Sequence, residues 1–167
     1  MPYLIDGNNL SYALARLSKN DNFIPEKNCN FASDLVNVLE EFNQKKKRKI
    51  FLVLDSPDGF MDQYEYNLIK VIYVPRNEIY NSADDKIIEI LSNSKSKRDY
   101  SFTLVSDDQE LCQRATSILK NDRLFIKSAF GFAKQLLPYL PQKKDSLNDD
   151  QWKDDLTKEL LDLWRNK

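Results

Sequence analysis

The stretch that most constrains the fold is residues 3–9, in which three apolar residues lead directly into an acid, a glycine and two asparagines. A short apolar run that does not alternate with polar residues is typical of a strand covered on both faces, as in parallel sheets. Asp6 then lies at the carboxyl end of this strand, where Gly7 lets the backbone turn. Ligands of open α/β sheets bind at that edge. If other strands also end in acids at the carboxyl edge of the sheet, these acids would form a metal site.

Further apolar runs have the same character. They cover residues 50–54, which end at Asp55, residues 71–74, which Pro75 stops, and residues 102–105 and 124–126. Apolar residues at helical spacing predict helices over residues 10–17, 31–44, 61–68, 82–91, 107–119 and 129–137. Strands that alternate with helices predict an α/β fold, with a parallel sheet of about five strands and helices on both faces.

The length of 167 residues corresponds to one ordinary domain. We expect the body of this domain at residues 1–140. Residues 141–167 are then a connector and an amphipathic helix packed on the same domain, with an apolar face made of Trp152, Leu156, Leu160, Leu163 and Trp164. The outer face of that helix could also support a homodimer.

The composition excludes several classes of enzyme. The chain has no histidine, which rules out mechanisms that need an imidazole, including the Ser-His-Asp triad and histidine-bound zinc. The 25 basic and 26 acidic residues nearly cancel, so net charge identifies no partner. Cys29 and Cys112 are far apart and predict free thiols in a reducing compartment. No apolar run approaches the length of a membrane span, so we expect a cytoplasmic protein with no membrane partner.

Two predicted helices begin in the same way, with a serine and a pair of acids at residues 82–85 and 106–109. Either serine could simply cap its helix, and Ser106 with the glutamine three residues later fits a capping box. Helical phase places Asp84 at the border of the apolar stripe of its helix, and Asp108 near the centre of the other stripe. A carboxylate turned inward is costly unless a cation or several donors satisfy it, which favours a ligand role for both.

Four acids are thus expected to meet at the carboxyl edge of the sheet. Asp6, Asp84 and Asp108 are the predicted catalytic and metal-binding residues, and Asp55 is an accessory catalytic residue. Asp85 and Asp107 are two further candidate metal ligands. Oxygen ligands without histidine or cysteine favour Mg²⁺ or Mn²⁺. The matching chemistry is cleavage of a phosphodiester bond by in-line attack of a metal-activated water.

The motifs that carry these acids occur in a recognisable order. They are Leu4-Ile5-Asp6-Gly7-Asn8-Asn9, Phe51-Leu52-Val53-Leu54-Asp55, Ser82-Ala83-Asp84-Asp85-Lys86-Ile87 and Leu104-Val105-Ser106-Asp107-Asp108. Together they resemble the NYN domains of the PIN-like ribonuclease superfamily, specifically the YacP-like branch, over Tyr3 to about Leu137. The resemblance implies a PIN-like three-layer α/β/α fold and a Mg²⁺- or Mn²⁺-dependent endoribonuclease that leaves a 5′ phosphate.

Carried over motif by motif, the resemblance assigns the family's first-strand acid to Asp6 and its alanine-aspartate helix start to Asp84. The acid of the family's Ser/Thr-x-Asp turn falls on Asp108, and Asp55 matches the acid that often ends the second strand. Two positions depart from the YacP-like pattern, namely Ile88, where a glutamate is common, and Asn8, where a tyrosine is common.

A nuclease must also hold a polyanion, so RNA is the expected partner, single-stranded or structured, and the ribosome is one setting in which that RNA could be met. The predicted substrate contacts near the carboxyl edge are Asn8, Asn9, Arg76, Lys86, Arg114 and Lys127. The two asparagines have an alternative as a turn and helix N-cap. Residues 45–49 form the densest basic run, which fits a solvated helix end slightly better than an RNA contact.

Two other interpretations stay open at this point. The chain could be a catalytically inactive RNA-binding or ribosome-associated module with the same fold. It could also be a response-regulator receiver domain, which has acids at comparable strand ends. A receiver would place a paired acid after the first strand and a lysine after the fifth. Lys127 meets the second condition, but Gly7 follows Asp6 where the acid is expected.

Overall fold

The computed structural model describes residues 1–94, 100–119 and 122–141. Within them the strands are β1 (Tyr3–Asp6), β2 (Ile50–Asp55), β3 (Asp62–Tyr66), β4 (Ile69–Val74), β5 (Phe102–Val105) and β6 (Leu124–Lys127). The α-helices are α1 (Gly7–Ser18), α2 (Phe31–Asn43), α3 (Ala83–Ser94), α4 (Gln109–Ile118) and α5 (Ala129–Leu136). Short 3-10 turns cover Asp21–Phe23 and Leu137–Tyr139. The predicted tail helix lies outside the described residues.

The strands form one sheet in the order β3-β4-β2-β1-β5-β6. All neighbours pair in parallel except β3, which is antiparallel to β4. Numbered in chain order, the five parallel strands run 3-2-1-4-5, so the direction of winding reverses between β1 and β5. Receiver domains have the order 2-1-3-4-5, and this difference excludes the receiver interpretation.

Helices cover both faces of the sheet, as the sequence predicted. Tyr3 and Ile5 of β1 face one core layer, which packs against α1, α2 and α5. Leu4 faces the opposite layer, which packs against α3 and α4. Every residue of β1 is buried, because the strand lies in the middle of the sheet and is covered on both sides.

The region between β2 and β4 corrects one prediction. Residues 61–68 were expected to form a helix, but β3 occupies most of this stretch and pairs with β4. Asn67 has a φ of 52°, and with Leu68 it makes a two-residue hairpin turn of the kind that asparagine favours. Among the described residues, the sheet therefore has the predicted five parallel strands and one further antiparallel edge strand, β3. All five residues of β3 are exposed, so its sequence lacks the apolar run by which the buried strands could be predicted.

Gly7 is needed for a reason other than the predicted turn. It is the first residue of α1, and its φ is not positive. A Cβ atom at this position would lie 2.4 Å from Leu54 Cδ2 and 2.8 Å from the Val53 carbonyl oxygen. The glycine therefore allows the start of α1 to touch the end of β2, which brings the ends of β1 and β2 into one site.

The search for membrane spans found no candidate in the described part of the chain. None of its helices is both long enough and apolar enough to cross a bilayer.

Candidate active site: an acidic cleft at the sheet edge

The carboxyl edge of the sheet holds a cleft of about 300 Å³, which we call the acidic cleft. It lies where the direction of winding reverses, which is the usual ligand position in open α/β sheets. Its lining residues are Asp6, Asn8, Asn9, Tyr12, Asp55, Ser82, Ala83, Asp84 and Asp108. The four acids predicted to meet thus do line one cleft. A larger cleft of about 450 Å³ beside α2 brings together only Asp34 and Glu41 as acids.

Asp6 is the most buried of the four acids, with 6% of its surface exposed. It is the N-cap of α1, and its Oδ1 accepts a hydrogen bond from the Asn9 backbone N–H at 3.1 Å. Its Oδ2 accepts one from the Ser106 hydroxyl at 2.9 Å. Burial raises the pKa of Asp6, and the nearby charges of Asp55 and Asp108 raise it further, while the two hydrogen bonds oppose the shift. Asp6 therefore ties β1 to the turn that follows β5.

Asp55 joins three elements around the acidic cleft. One carboxylate oxygen accepts a hydrogen bond from the Ala83 backbone N–H at 2.8 Å, at the start of α3. The other accepts one from the Asn8 side-chain amide at 2.7 Å. The amide oxygen of Asn8 is buried and has no hydrogen-bond partner within the described residues. A buried acceptor without a donor is costly, which suggests that a cation or a water normally occupies this place.

Asp84 differs from the other acids of the cleft. Within residues 1–94, 100–119 and 122–141, no donor contacts its half-buried carboxylate closely enough for a hydrogen bond. Burial raises the pKa of Asp84 to about 6, with further contributions from the charges of Asp6, Asp108 and Asp55. This carboxylate is destabilised when charged, so it is the group in the cleft that would gain most from a cation.

Asp108 reaches the cleft by a route that the sequence did not predict. It is itself the N-cap of α4, and its carboxylate accepts a hydrogen bond from the Leu111 backbone N–H at 2.9 Å. The capping box that was the structural alternative for Ser106 does not form, and the predicted helix start at residue 107 is too early, because α4 begins at Gln109 with Asp108 as its N-cap. The Ser106 hydroxyl instead accepts a hydrogen bond from the Asp108 N–H at 3.0 Å and donates to Asp6.

Ser106 is the residue at this site that sequence reasoning misplaced. It is buried, with 2% of its surface exposed, and it connects two of the clustered acids. The available signal was its position two residues before Asp108, since serine commonly bonds to backbone N–H groups nearby in such turns.

The remaining predicted acidic ligands do not line the acidic cleft. Asp85 pairs with Arg114 at 2.6 Å and accepts a hydrogen bond from the Asn81 N–H at 2.8 Å. Its hydrogen bond with Arg114 holds the pKa of Asp85 below its usual value. Asp107 accepts hydrogen bonds from the backbone N–H groups of residues 129 and 130, at 3.1 and 2.9 Å, and so helps to cap α5.

The predicted basic contacts also lie outside the lining of the cleft. Lys86 forms an ion pair with Glu89 at 3.1 Å, and Arg114 is engaged by Asp85. The Lys127 ammonium lies over the Phe132 ring, 5.3 Å from its centroid. Arg76 is exposed. Of the predicted substrate contacts, only Asn8 and Asn9 line the cleft, and the Asn9 side-chain oxygen also accepts a hydrogen bond from the Asp107 N–H at 3.4 Å.

The donor chemistry of the cleft fits a hard divalent ion. Its described lining offers carboxylates, one amide oxygen that has no partner among the described residues, and no nitrogen or sulfur ligand. No three acidic or cysteine side chains in the described segments are arranged to hold one ion directly. Mg²⁺ usually keeps several waters and binds through one or two carboxylates. The cleft therefore fits an ion of that kind, bound through few direct ligands.

Comparison with solved structures relates this architecture to known proteins. A crystal structure of Rae1 (YacP) from Bacillus subtilis superposes with a TM-score of 0.55 over 99% of this chain and 92% of that chain, at 18% sequence identity. A point mutant of the same protein gives a TM-score of 0.58, covering 83% of this chain and 76% of that chain, at 16% identity. The chain has a PIN-like α/β fold.

The name YacP agrees with the branch that the ordered motifs resemble, although at these identities the likeness establishes only the fold. No family model matches the chain, and no curated protein matches its sequence.

Proposed function

We propose that this protein is a Mg²⁺- or Mn²⁺-dependent ribonuclease whose active site is the acidic cleft. The observation that carries the proposal is the meeting of Asp6, Asp55, Asp84 and Asp108 in one cleft. Asn8 also lines this cleft, and its amide oxygen has no hydrogen-bond partner among the described residues. These acids come from four separate parts of the chain. Such a concentration of negative charge is costly without a cation, and this cost supports a metal-binding role over a purely structural one.

The four acids have different parts in this proposal. Asp84, which lacks a donor within the described residues, and Asp108 would hold the ion, and the charge of Asp6 lies close to Asp84 and Asp108. Asp55 positions Asn8 and the start of α3 through its two hydrogen bonds. A bound ion of this class supplies a nucleophile at neutral pH and neutralises charge on the phosphate.

The assignment of RNA as the substrate rests on the family resemblance of the motifs. The position of Tyr12 supports it, because this residue lines the cleft and is 45% exposed. An exposed aromatic ring at the rim of a site can stack on an unpaired base. The tyrosine hydroxyl donates a hydrogen bond to Glu26, which holds the ring in place.

The test is cleavage of a labelled single-stranded RNA in the presence of Mn²⁺, with Asp84→Asn and Asp85→Asn compared side by side. The two acids are neighbours on α3, but only Asp84 lines the cleft. We expect Asp84→Asn to lose activity about a hundredfold or more, the scale seen when one group that stabilises charge is removed. Asp85→Asn should stay within a few-fold of the unaltered protein. Equal activity in both variants, or equal loss, would contradict the proposal.

A catalytically inactive RNA-binding module remains the second candidate, and one observation favours it. Asp6, Asp55 and Asp108 already accept backbone hydrogen bonds at the starts of three helices, so their presence has a structural explanation. This candidate predicts RNA binding in Mn²⁺ without any fragments, and an unchanged melting temperature when Mn²⁺ is added. A rise in melting temperature that Asp84→Asn removes would support the ribonuclease instead.

A further inference from the structure

A second cleft, of about 320 Å³, lies at the amino edge of the sheet. We call it the basic cleft. Its lining residues are Met1, Pro2, Lys47, Arg48, Lys49, Phe51, Tyr100 and Ser101. The three cations belong to the loop between α2 and β2, while Tyr100 and Ser101 immediately precede β5. Three neighbouring strands, β1, β2 and β5, therefore begin at this cleft, at the edge opposite to the acidic cleft.

The basic loop is built into the fold and is not a fraying helix end. Asn43, with 6% of its surface exposed, donates a side-chain hydrogen bond to the Arg48 carbonyl at 2.7 Å and accepts one from the Arg48 N–H at 3.0 Å. The Asn43 carbonyl also accepts hydrogen bonds from the N–H groups of Lys46 and Lys47, at 3.0 and 2.8 Å. Lys47 adopts a φ of 46°, which turns the chain into β2. The cations are thus held beside the cleft on a fixed backbone.

Within the part of the chain that the structure describes, neighbouring carboxylates do not neutralise these cations. No residue from 45 to 49 forms an ion pair with an acid in the described segments. Several instead lie over aromatic rings, with Lys46 4.0 Å from the Phe42 centroid and Lys49 5.3 Å from that of Phe51. The positive charges of Lys46 and Arg48 also help to lower the pKa of Lys127, after burial. Uncompensated positive charge is therefore concentrated at this edge.

We infer that the basic cleft is a second RNA-binding surface, which takes the phosphate backbone of single-stranded RNA on Lys47 and Lys49 and lets a base stack on Tyr100. Tyr100 has 46% of its surface exposed, and its ring packs on Phe102 at 6.0 Å between centroids, which holds the ring at the rim. A concave groove that combines cations with exposed aromatic rings suits single-stranded nucleic acid. A flat anionic surface such as a membrane would not use the groove or the ring.

The separation of the two clefts sets the length of RNA that could use both. Strand β2 runs from one edge to the other over the six residues Ile50–Asp55. At about 3.3 Å per residue, the edges are on the order of 17 Å apart along the strand. A short oligonucleotide could occupy only one cleft, whereas a longer strand could pass around the sheet and contact both. The inference does not depend on cleavage by the acidic cleft.

The test measures binding of a short and a long fluorescent single-stranded RNA in EDTA, where metal-dependent cleavage cannot occur. The variant Lys47→Gln/Lys49→Gln removes two charges from the basic cleft. The matched control, Lys19→Gln/Lys27→Gln, removes two charges from exposed lysines that do not line it. We expect Kd for the long RNA to rise about tenfold in the first variant only. The slope of the logarithm of the association constant against the logarithm of the salt concentration should become less negative by about 1.4, because two phosphates are no longer neutralised.

A further variant, Lys47→Arg/Lys49→Arg, should restore the affinity, which separates loss of charge from loss of folding. Unchanged affinity and salt slope in the Lys47→Gln/Lys49→Gln variant would overturn the inference, even if the protein cleaves RNA. Tighter binding to phosphatidylserine vesicles than to RNA, lost in the same variant, would also overturn it. RNA binding through the basic cleft without cleavage in Mn²⁺ would support the inference and contradict the proposed ribonuclease.

Discussion

At the scale of single residues, the acids of the cleft divide by what already satisfies them. Asp6, Asp55 and Asp108 accept hydrogen bonds from backbone N–H groups at the starts of α1, α3 and α4. The positive ends of three helices thus compensate three carboxylates, which lets these acids lie close together. Asp84 has no such compensation from the described residues, and its raised pKa reflects the difference.

We predict that Asp84→Asn stabilises the metal-free protein at neutral pH. In the folded state the pKa of Asp84 is about 6, above the ordinary value of 3.8. The folded protein therefore holds this proton more tightly than the unfolded chain, and stability is lost as pH rises through about 6. The variant should be more stable by about 1–2 kcal/mol at pH 8, after allowance for solvent screening of a half-buried carboxylate. Below pH 3.8, the ordinary pKa of aspartate, the Asp84→Asn variant should no longer be more stable than the unaltered protein.

The measurement is the free energy of unfolding by chemical denaturation in EDTA across the pH range. Asp85→Asn is the control, because this substitution should lower the stability at neutral pH where Asp84→Asn raises it. The pKa of Asp85 is lowered in the folded protein by its hydrogen bond with Arg114. Its contribution to stability is therefore present above its ordinary pKa and lost as pH falls. Destabilisation by Asp84→Asn at pH 8 would show that the carboxylate has a stabilising partner.

A second prediction at this scale concerns Asp55, whose two oxygens accept hydrogen bonds from Asn8 and Ala83. Asp55→Ala should lower the free energy of unfolding by about 1–3 kcal/mol, because it leaves both donors without a partner. Urea denaturation at neutral pH would measure the loss. Asp58→Ala, which removes an exposed acid from the next turn, should change stability little. Similar effects of the two substitutions would contradict a positioning role for Asp55.

At the scale of elements, the parallel strands and most helices could be predicted because buried apolar runs and helical periodicity are encoded locally. Strand β3 could not, since its five exposed residues form an edge strand whose signal is pairing with β4. The start of α4 was misplaced because three consecutive polar residues, 106–108, could each cap the helix, and only the fold selects Asp108. Tertiary contacts therefore determine both the formation of β3 and the start of α4.

For the candidate site, the positions of Asp6 and Asp55 at strand ends were enough to place both acids at one edge, but position along a strand did not show where the basic side chains extend. Lys127 ends β6 at the carboxyl edge, yet its ammonium extends to Phe132 and donates a hydrogen bond to Gln135 at 3.0 Å. A long flexible side chain can leave the edge where its backbone lies. The carboxylate of an aspartate stays close to its own backbone. Its position at the end of a strand therefore predicted the locations of Asp6 and Asp55 more reliably than that of Lys127.

The contact between α1 and β2 gives a prediction at Gly7. Gly7→Ala should destabilise the protein by about 1–3 kcal/mol through overpacking, because the new Cβ would meet a backbone carbonyl that cannot move aside. Gly59→Ala is a useful comparison, since its φ is 73° but nothing lies within 4 Å of the added atom. Thermal denaturation should show the larger loss at Gly7. A neutral effect there would mean that α1 can shift away from β2.

At the scale of the whole molecule, the two tryptophans offer a test of the domain prediction. Both Trp152 and Trp164 belong to the predicted tail helix, and residues 1–141 contain no tryptophan. Tryptophan emission of the intact protein therefore reports on the tail alone. If the tail packs on the domain, emission should shift to longer wavelength in the same transition as the far-ultraviolet circular dichroism. Emission typical of solvent-exposed indole before unfolding would contradict packing of the tail.

The opposite placement of the two clefts has a consequence that the net charge of −1 conceals. Carboxylates cluster where the parallel strands end, and ammonium groups cluster where they begin. Two opposite edges of the described sheet therefore carry charges of opposite sign, although the chain as a whole is nearly neutral. A polyanion approaching from solution would be turned so that it arrives at the lysine end, and dissolved divalent ions would be drawn to the other end.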